Sequence, residues 1–464
     1  MSAPVPDFAP FWEEVESIFD PEQPVREPQL FAERDRKYAP IVAIERHLRA
    51  NTRVRTKFIL TGTPGNGKTS ELLHCAARLA RTRMVVHTDI WEHLVATVGN
   101  PGAINLLEPW EMLGLIGLAI FRAGNDCFGH KWEPREIKAL ESALKKLRGG
   151  ENEGSPELDL VTLARGIAVA AGGVVGGKLG PIGASLGAQA VTALVKAAAD
   201  ATEWKWRLGR GGAAPHSDQD SEVQALLNAV NRLVMSLRDA YGRPLLLILD
   251  GIDRVTDPDR LRALFVDSNL LSRLVCDAIV TAALLPMRRE GQVIVGFECT
   301  DFSNIPVLDQ KDPTRPGPGI AYFHDLLGRR IDQVRANLAE KGLKSPSDPF
   351  PAAIVDRLAY LSGGISRDFV RLIRLTAVEA IDAKAETINE DLIAPAIRDE
   401  RKRREHLMNS EEIAVLRRVM KDRRLPGDPI ALDLLRQKRL VPYPNDSTWY
   451  YPHPLLTLGI LRRG

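Results

Sequence analysis

Cysteine is scarce in this chain. The four residues in 464 (Cys75, Cys127, Cys276 and Cys299) show no Cys-x-x-Cys spacing. Neither a disulfide framework nor a cysteine-ligated zinc site is implied, and a reducing compartment fits. The opening stretch, MSAPVPDFAPFWEEVESIFD, lacks the basic and apolar regions of a secretory signal, so the expected location is cytoplasmic. A surplus of one charge is missing too, since 62 Lys and Arg stand against 60 Asp and Glu. The balance hides an asymmetry: residues 401–464 carry fourteen basic and seven acidic residues, a local +7 against −5 for the remainder. That points either to an anionic partner for the C-terminal segment or to a solvated charged surface. With 44% hydrophobic and 26% charged residues the composition is that of an ordinary globular protein, and the length suits two to four domains.

What the chain does contain is organised around Lys57–Ser70, KFILTGTPGNGKTS. Lys57–Thr61 suits a buried strand. Gly62-Thr63-Pro64-Gly65-Asn66-Gly67-Lys68-Thr69 fits the phosphate-loop pattern at every position, and Leu72, Cys75, Ala76 and Leu79 follow at helical spacing. Glycines at 62, 65 and 67 let successive N–H groups face a phosphate at a helix N-terminus. Lys68 is then expected at the β- and γ-phosphates, Thr69 on Mg²⁺, and Gly62 through Ser70 as the contacts of ATP or ADP. The alternative, a glycine turn that happens to precede a helix, must match every position by chance. A second signature is Pro244–Val255, PLLLILDGIDRV. Its Leu/Ile run reads as a strand buried on both faces, with Asp250 placed to hold Mg²⁺ through water. Further strands are expected at Met84–Thr88, Ala278–Ala283 and around Ile305–Leu308. Five strands alternating with helices predict a P-loop NTPase α/β fold with a doubly wound parallel sheet.

The chain resembles AAA+ and STAND (signal-transduction) ATPases over about residues 28–405. Phe31, Arg34 and Asp35 match the box that those families place beside adenine, with Glu33 where the family has glycine. The resemblance implies that Thr281 is a polar sensor of the γ-phosphate. It also implies that Arg367, in Ser362-Gly363-Gly364-Ile365-Ser366-Arg367-Asp368, is a second sensor at the start of a lid helix. For Thr281 the alternative is strand packing, and for Arg367 a surface salt bridge. Arg329 and Arg330 are candidate arginine fingers acting across a subunit boundary. Where AAA+ motors have Asp-Glu, this chain has Asp250-Gly251, and the next acid, Asp253, is the candidate water-orienting residue. The pattern is similar to slow STAND switches. Residues 408–464 look like a small winged-helix domain. His453 follows its hairpin, where STAND receptors keep a histidine that senses the bound diphosphate; a lone histidine is otherwise simply packed.

The expected organisation is therefore an arm at 1–27, an ATPase core at 28–318, a helical lid at 319–407 and the winged-helix-like domain at 408–464. Lys68 and Asp250 lie 182 residues apart, and the excess is a helical insertion at 100–221. Within it, Leu158–Ala199 is nearly uncharged and rich in Gly and Ala, with glycines four apart. Three readings stay open for that stretch: helices packed in a core or between subunits, a membrane-inserting hairpin similar to KAP-type ATPases, or a toxin-like segment exposed on activation. The leading functional expectation is a STAND-like ATPase that oligomerises and signals, in phage defence or stress response, with a protein partner supplying sensor or effector. The alternatives are a DNA-binding AAA+ ATPase similar to origin initiators or transposition regulators, with Arg401–Arg404, Arg417, Arg418, Arg423 and Arg424 on phosphates, and a membrane-associated KAP-like ATPase.

Overall fold

The computed structural model describes residues 7–50, 55–147, 170–172, 174–175, 178–179, 217–283, 294–444 and 448–462. The chain forms two compact units: one of Pro40–Gly62 and Glu71–Asp301, the other of Met1–Ala39, Thr63–Ser70 and Phe302–Gly464.

The first of these carries the sheet. Its strands are β1 (Lys57–Thr61), β2 (Met84–Asp89), β3 (Ala170–Gly172), β6 (Leu245–Asp250), β7 (Asp277–Ala282) and β8 (Glu298–Asp301). Their spatial order is β3-β2-β6-β7-β1-β8. The five from β2 to β8 run parallel, and β3 pairs antiparallel with β2 at one edge. Between β3 and β6 in sequence, β4 (Val174–Val175) and β5 (Lys178–Leu179) make a separate two-stranded ladder. Every residue of β6 and β7 is buried, as central parallel strands require. Two strands, β6 and β7, therefore lie between β1 and β2, although β2 follows β1 in the chain. This is the α/β fold of a P-loop NTPase.

Two sequence expectations change. The strand expected around Ile305–Leu308 is not in the sheet; the fifth parallel strand is Glu298–Asp301. Pro306 has no N–H to donate to a ladder, and the Ile305 N–H goes instead to the Gly364 carbonyl at 3.1 Å. Within the glycine- and alanine-rich stretch the described residues are the strands β3, β4 and β5 rather than helix, and the rest of Leu158–Ala199 lies outside the described residues. The beginning of the insertion is helical and central to this unit. Helix Pro109–Arg122 is buried all round from Glu111 to Phe121, which marks a core helix. It packs with Ser221–Tyr241, and its Gly114 and Gly117 face Leu144 and Leu140 of helix Pro134–Leu147. Gly117 permits the closeness, since a Cβ there would meet Val230 Cγ2 at 2.9 Å.

The other unit is largely helical. Helices Ile320–Glu340, Ala352–Leu361, Ser366–Asp382 and Glu390–Glu405 fill the stretch expected to be helical. The N-terminal helix Ala9–Ile18 packs on Ser366–Asp382 and Ile320–Glu340. Phe11, Trp12 and Phe19 are fully buried, and Trp12 Nε1 donates to the Ala385 carbonyl at 2.6 Å. An acidic face on the arm meets basic groups: Glu14 with Lys341, Glu16 with Arg374, and Glu22 with Arg371. The C-terminal part consists of helices Ser410–Asp422 and Pro429–Arg436, the hairpin β9 (Leu440–Tyr443) and β10 (Trp449–Pro452), and the short helix Pro454–Thr457.

Candidate nucleotide site

The phosphate loop, Thr63–Lys68, is fixed from several sides. Gly65 and Gly67 have φ of +86° and +95°, a left-handed backbone that side chains resist. Thr63 Oγ1 donates to Asn304 Oδ1 at 2.7 Å, and Asn66 Nδ2 donates to the Phe302 carbonyl at 2.7 Å. Arg34 donates to the Asn66 carbonyl and, at 2.8 Å, to the Ser303 carbonyl, with its guanidinium 3.9 Å from the centre of the Phe302 ring. Arg34 thus clamps the loop itself, while Phe31 is buried beside it in sequence. Lys68 Nζ donates to the Thr63 carbonyl at 3.1 Å, folding the lysine back across its own loop.

Two more elements of the same unit reach the loop. The first turn of helix Ser366–Asp382 abuts Gly65: the Arg367 N–H donates to the Gly65 carbonyl at 2.9 Å. Gly364 makes this approach feasible, because its φ is +76° and any Cβ there would strike the Ile305 carbonyl. The Arg367 side chain turns to the arm, where Nε donates to the Pro21 carbonyl at 3.0 Å, and Nη2 lies 3.8 Å from Glu22. The second arrival is Lys438, which ends the turn before β9. Its Nζ lies 3.1 Å from where a Cβ of Gly65 would be, and burial pulls its pKa down to about 8. Nothing in the sequence marked Lys438, because only the fold carries it to residue 65.

His453 is fully buried, with Nε2 3.2 Å from the Ser362 carbonyl and 3.7 Å from Asp368 Oδ2. Burial first, and then Arg404, pull it down to about 4, so it is neutral at neutral pH. It fills the space against Gly363, and its described contacts are structural ones within this unit. Asp368 itself is ion-paired with Arg404. Burial opposes its charge, but Arg404 and His453 outweigh that and hold the carboxyl well below the usual range. Arg330, expected as a finger reaching across a boundary, is buried instead. It donates to the Ile18 carbonyl and sits 5.0 Å from the Phe19 ring centre; desolvation lowers its pKa to about 10. A side chain enclosed by its own arm cannot enter a neighbour's site. Arg329 is paired with Asp325 on its own helix.

In the sheet unit, the carboxyl edge gathers the acidic residues. Asp89 and Asp250 are register partners at the ends of β2 and β6. Leu249 pairs with Val280, so the next step along both strands sets Thr281 beside Asp250. Gly62 leaves β1 at this same edge. Asp250 is buried, and His87 Nε2 lies 3.8 Å from its Oδ2. Neither His87 Nε2 nor the fully buried Thr281 Oγ1 has a hydrogen-bond partner among the described residues. Burial, and then the Asp250 carboxylate, push Asp89 up to about 7. Gly251 adopts φ +80°. A Cβ there would fall onto Asp89 Oδ1 and within 2.9 Å of the Trp91 backbone N, which closes the position to glutamate. Asp253 follows on a 3₁₀ turn, Ile252–Arg254, and is half-buried.

Among the described residues no group of three or more His, Cys, Asp or Glu could hold a metal ion. In the sheet unit, so sparse a set of donors fits Mg²⁺ only as an ion that keeps most of its waters and arrives on phosphates, with a carboxylate such as Asp250 holding it. No helix among the described residues is long and apolar enough to cross a membrane.

No protein-family model and no curated protein matches this chain. Among solved structures it is similar to the Aeropyrum pernix ORC2 protein in its ADP form, at 13% identity over 95% of this chain and 94% of that one, with a TM-score of 0.41. It is also similar to a Walker-type ATPase of Pyrococcus abyssi, at 12% identity over 96% and 99%, with a TM-score of 0.39. A third likeness is to Drosophila ORC bound to DNA, at 10% identity over 96% and 89%, with a TM-score of 0.38.

Proposed function

We propose that this chain is a slow ATPase switch of the AAA+ type, binding ATP or ADP with Mg²⁺. The observation that carries this reading is the phosphate loop itself. Its two glycines are left-handed, its Thr63 and Asn66 side chains are tied down, and the lid helix meets it at Gly65. A loop already ordered gives up little entropy on binding. In this reading the loop N–H groups hold the β-phosphate, while Lys68 leaves the Thr63 carbonyl for the β- and γ-oxygens. Arg367 and Lys438 add positive charge from the lid and the C-terminal module. Thr69 and Asp250 hold Mg²⁺, which neutralises phosphate charge in the transition state. Because Arg367 must exchange Pro21 and Glu22 for a phosphate oxygen, triphosphate binding would loosen the arm. That is the differential contact a switch requires. STAND-like signalling, with oligomers and a protein partner, is the form of switch that the resemblance implies. Titration of the purified chain with a fluorescent ATP analogue, with and without Mg²⁺, tests the reading. Saturable, Mg²⁺-dependent binding is expected, and no binding at millimolar analogue would reject it.

A second reading, DNA binding by the C-terminal module, has narrower support than the sequence implied. Of the arginines expected on DNA phosphates, Arg404 is taken by Asp368, Arg403 by Glu400, Arg418 by Asp428, and Arg423 by the carbonyls of Gln310 and Lys311; Arg401 lies 3.9 Å from Glu405. Lys402, Arg417, Lys421 and Arg424 are exposed and make no ion pair among the described residues. About four phosphate contacts predict that duplex affinity falls roughly 150-fold between 50 and 200 mM salt. A gel-retardation titration at those two concentrations checks this; absence of any shifted species at the lower one removes the reading.

A further inference from the structure

We propose that Asp89, at the end of β2, orients the attacking water in place of the glutamate that this chain lacks after Asp250. The inference rests on the ATPase reading above and names a residue that the sequence pointed away from. Reading along the chain selects Asp253, the next acid after Asp250. Reading across the sheet selects Asp89, because β2 and β6 are neighbours and Asp89 and Asp250 are register partners.

Three observations support it. Gly251 is left-handed, and the space in which its side chain would begin is filled by Asp89 Oδ1. The carboxylate absent from position 251 is thus supplied by the adjacent strand at almost the same point. Two carboxylates side by side repel one another and are retained at a cost to stability. Finally, His87, more than nine-tenths buried, points Nε2 at Asp250 from 3.8 Å without making a hydrogen bond. A buried polar atom left in that state costs free energy unless a bound group or water uses it. The ordinary account of Asp89 is that of a helix cap, since its side chain accepts the Glu92 N–H at 2.8 Å. That bond occupies Oδ1. It explains neither the pairing with Asp250 nor the orientation of His87.

In the proposed step Asp89 accepts a hydrogen bond from water. The water oxygen forms its bond to the γ-phosphorus as the bond from that phosphorus to the β,γ-bridging oxygen breaks. The water proton passes to the Asp89 carboxylate and from there to the released phosphate, and ADP retains the bridging oxygen.

Asp89→Asn separates this role from the cap, because asparagine caps a helix as well as aspartate. Three measurements are made on the full chain: melting without nucleotide, affinity for the fluorescent ATP analogue with Mg²⁺, and the fate of bound ATP in a single turnover. The variant is expected to melt at or above the wild-type temperature and to bind the analogue within about threefold of wild type. It should retain ATP at least 100-fold longer, whereas Asp253→Asn turns over within about threefold of wild type. Wild-type turnover by Asp89→Asn overturns the proposal, as does melting several degrees lower, which would make Asp89 structural. Failure of the wild-type chain to bind the analogue rejects the ATPase reading and this role together. A wild-type chain that binds ATP but never cleaves it rejects the water-orienting role alone.

Discussion

Lys68→Ala should reduce ATP affinity at least 100-fold and abolish hydrolysis while leaving the fold intact. The lysine is buried in the loop and donates to the Thr63 carbonyl, so its ammonium is held a short swing from any phosphate bound there. Charge-assisted hydrogen bonds contribute roughly twice what neutral ones do. Losing two, to the β- and γ-oxygens, corresponds to about 3 kcal/mol, or somewhat over 100-fold. Stability should change little, because the Thr63 hydroxyl, the Asn66 amide and Arg34 continue to hold the loop. Calorimetric titration and thermal melting of the same preparation check both halves. Undiminished affinity would show that the loop does not grip a phosphate.

The second large effect is on stability. Trp12→Ala is expected to cost about 4 kcal/mol and to lower the melting transition of the largely helical unit by roughly 10 °C. Trp12 is fully buried, donates to Ala385, and stacks edge-on with Phe11 at 4.8 Å and Phe350 at 5.4 Å. Truncation leaves a cavity between the arm and helix Ser366–Asp382, together with a carbonyl that has lost its donor. The same arm encloses Arg330 and accepts from Arg367, so ATP affinity should change as well. A melting shift below about 2 °C would mean that the arm is an appendage.

The phosphate loop, the Asp250 strand and the helical run from Ile320 to Glu405 were legible because each is encoded locally, by pattern, run or period. Two misreadings and one omission share one cause. Ile305–Leu308 looks like a strand and Glu298–Asp301 does not, yet the latter pairs with β1, since pairing is decided by position and Pro306 cannot donate. Arg330 reads as a free cation until a helix some 300 residues away in sequence covers it. Asp89 carries no signature of its own, and its neighbour Asp250 emerges only once β2 is known to lie against β6. Long-range adjacency, unlike periodicity, leaves no mark in a short window of sequence.

The bond from the Arg367 N–H to the Gly65 carbonyl belongs to the main chain on both sides. Exchanging the side chain at 367 for any other residue that keeps its amide hydrogen would therefore remove the guanidinium yet leave helix Ser366–Asp382 and the loop joined. Only proline would uncouple the two, and comparing it with alanine would separate the contribution of the side chain from that of the main-chain bond.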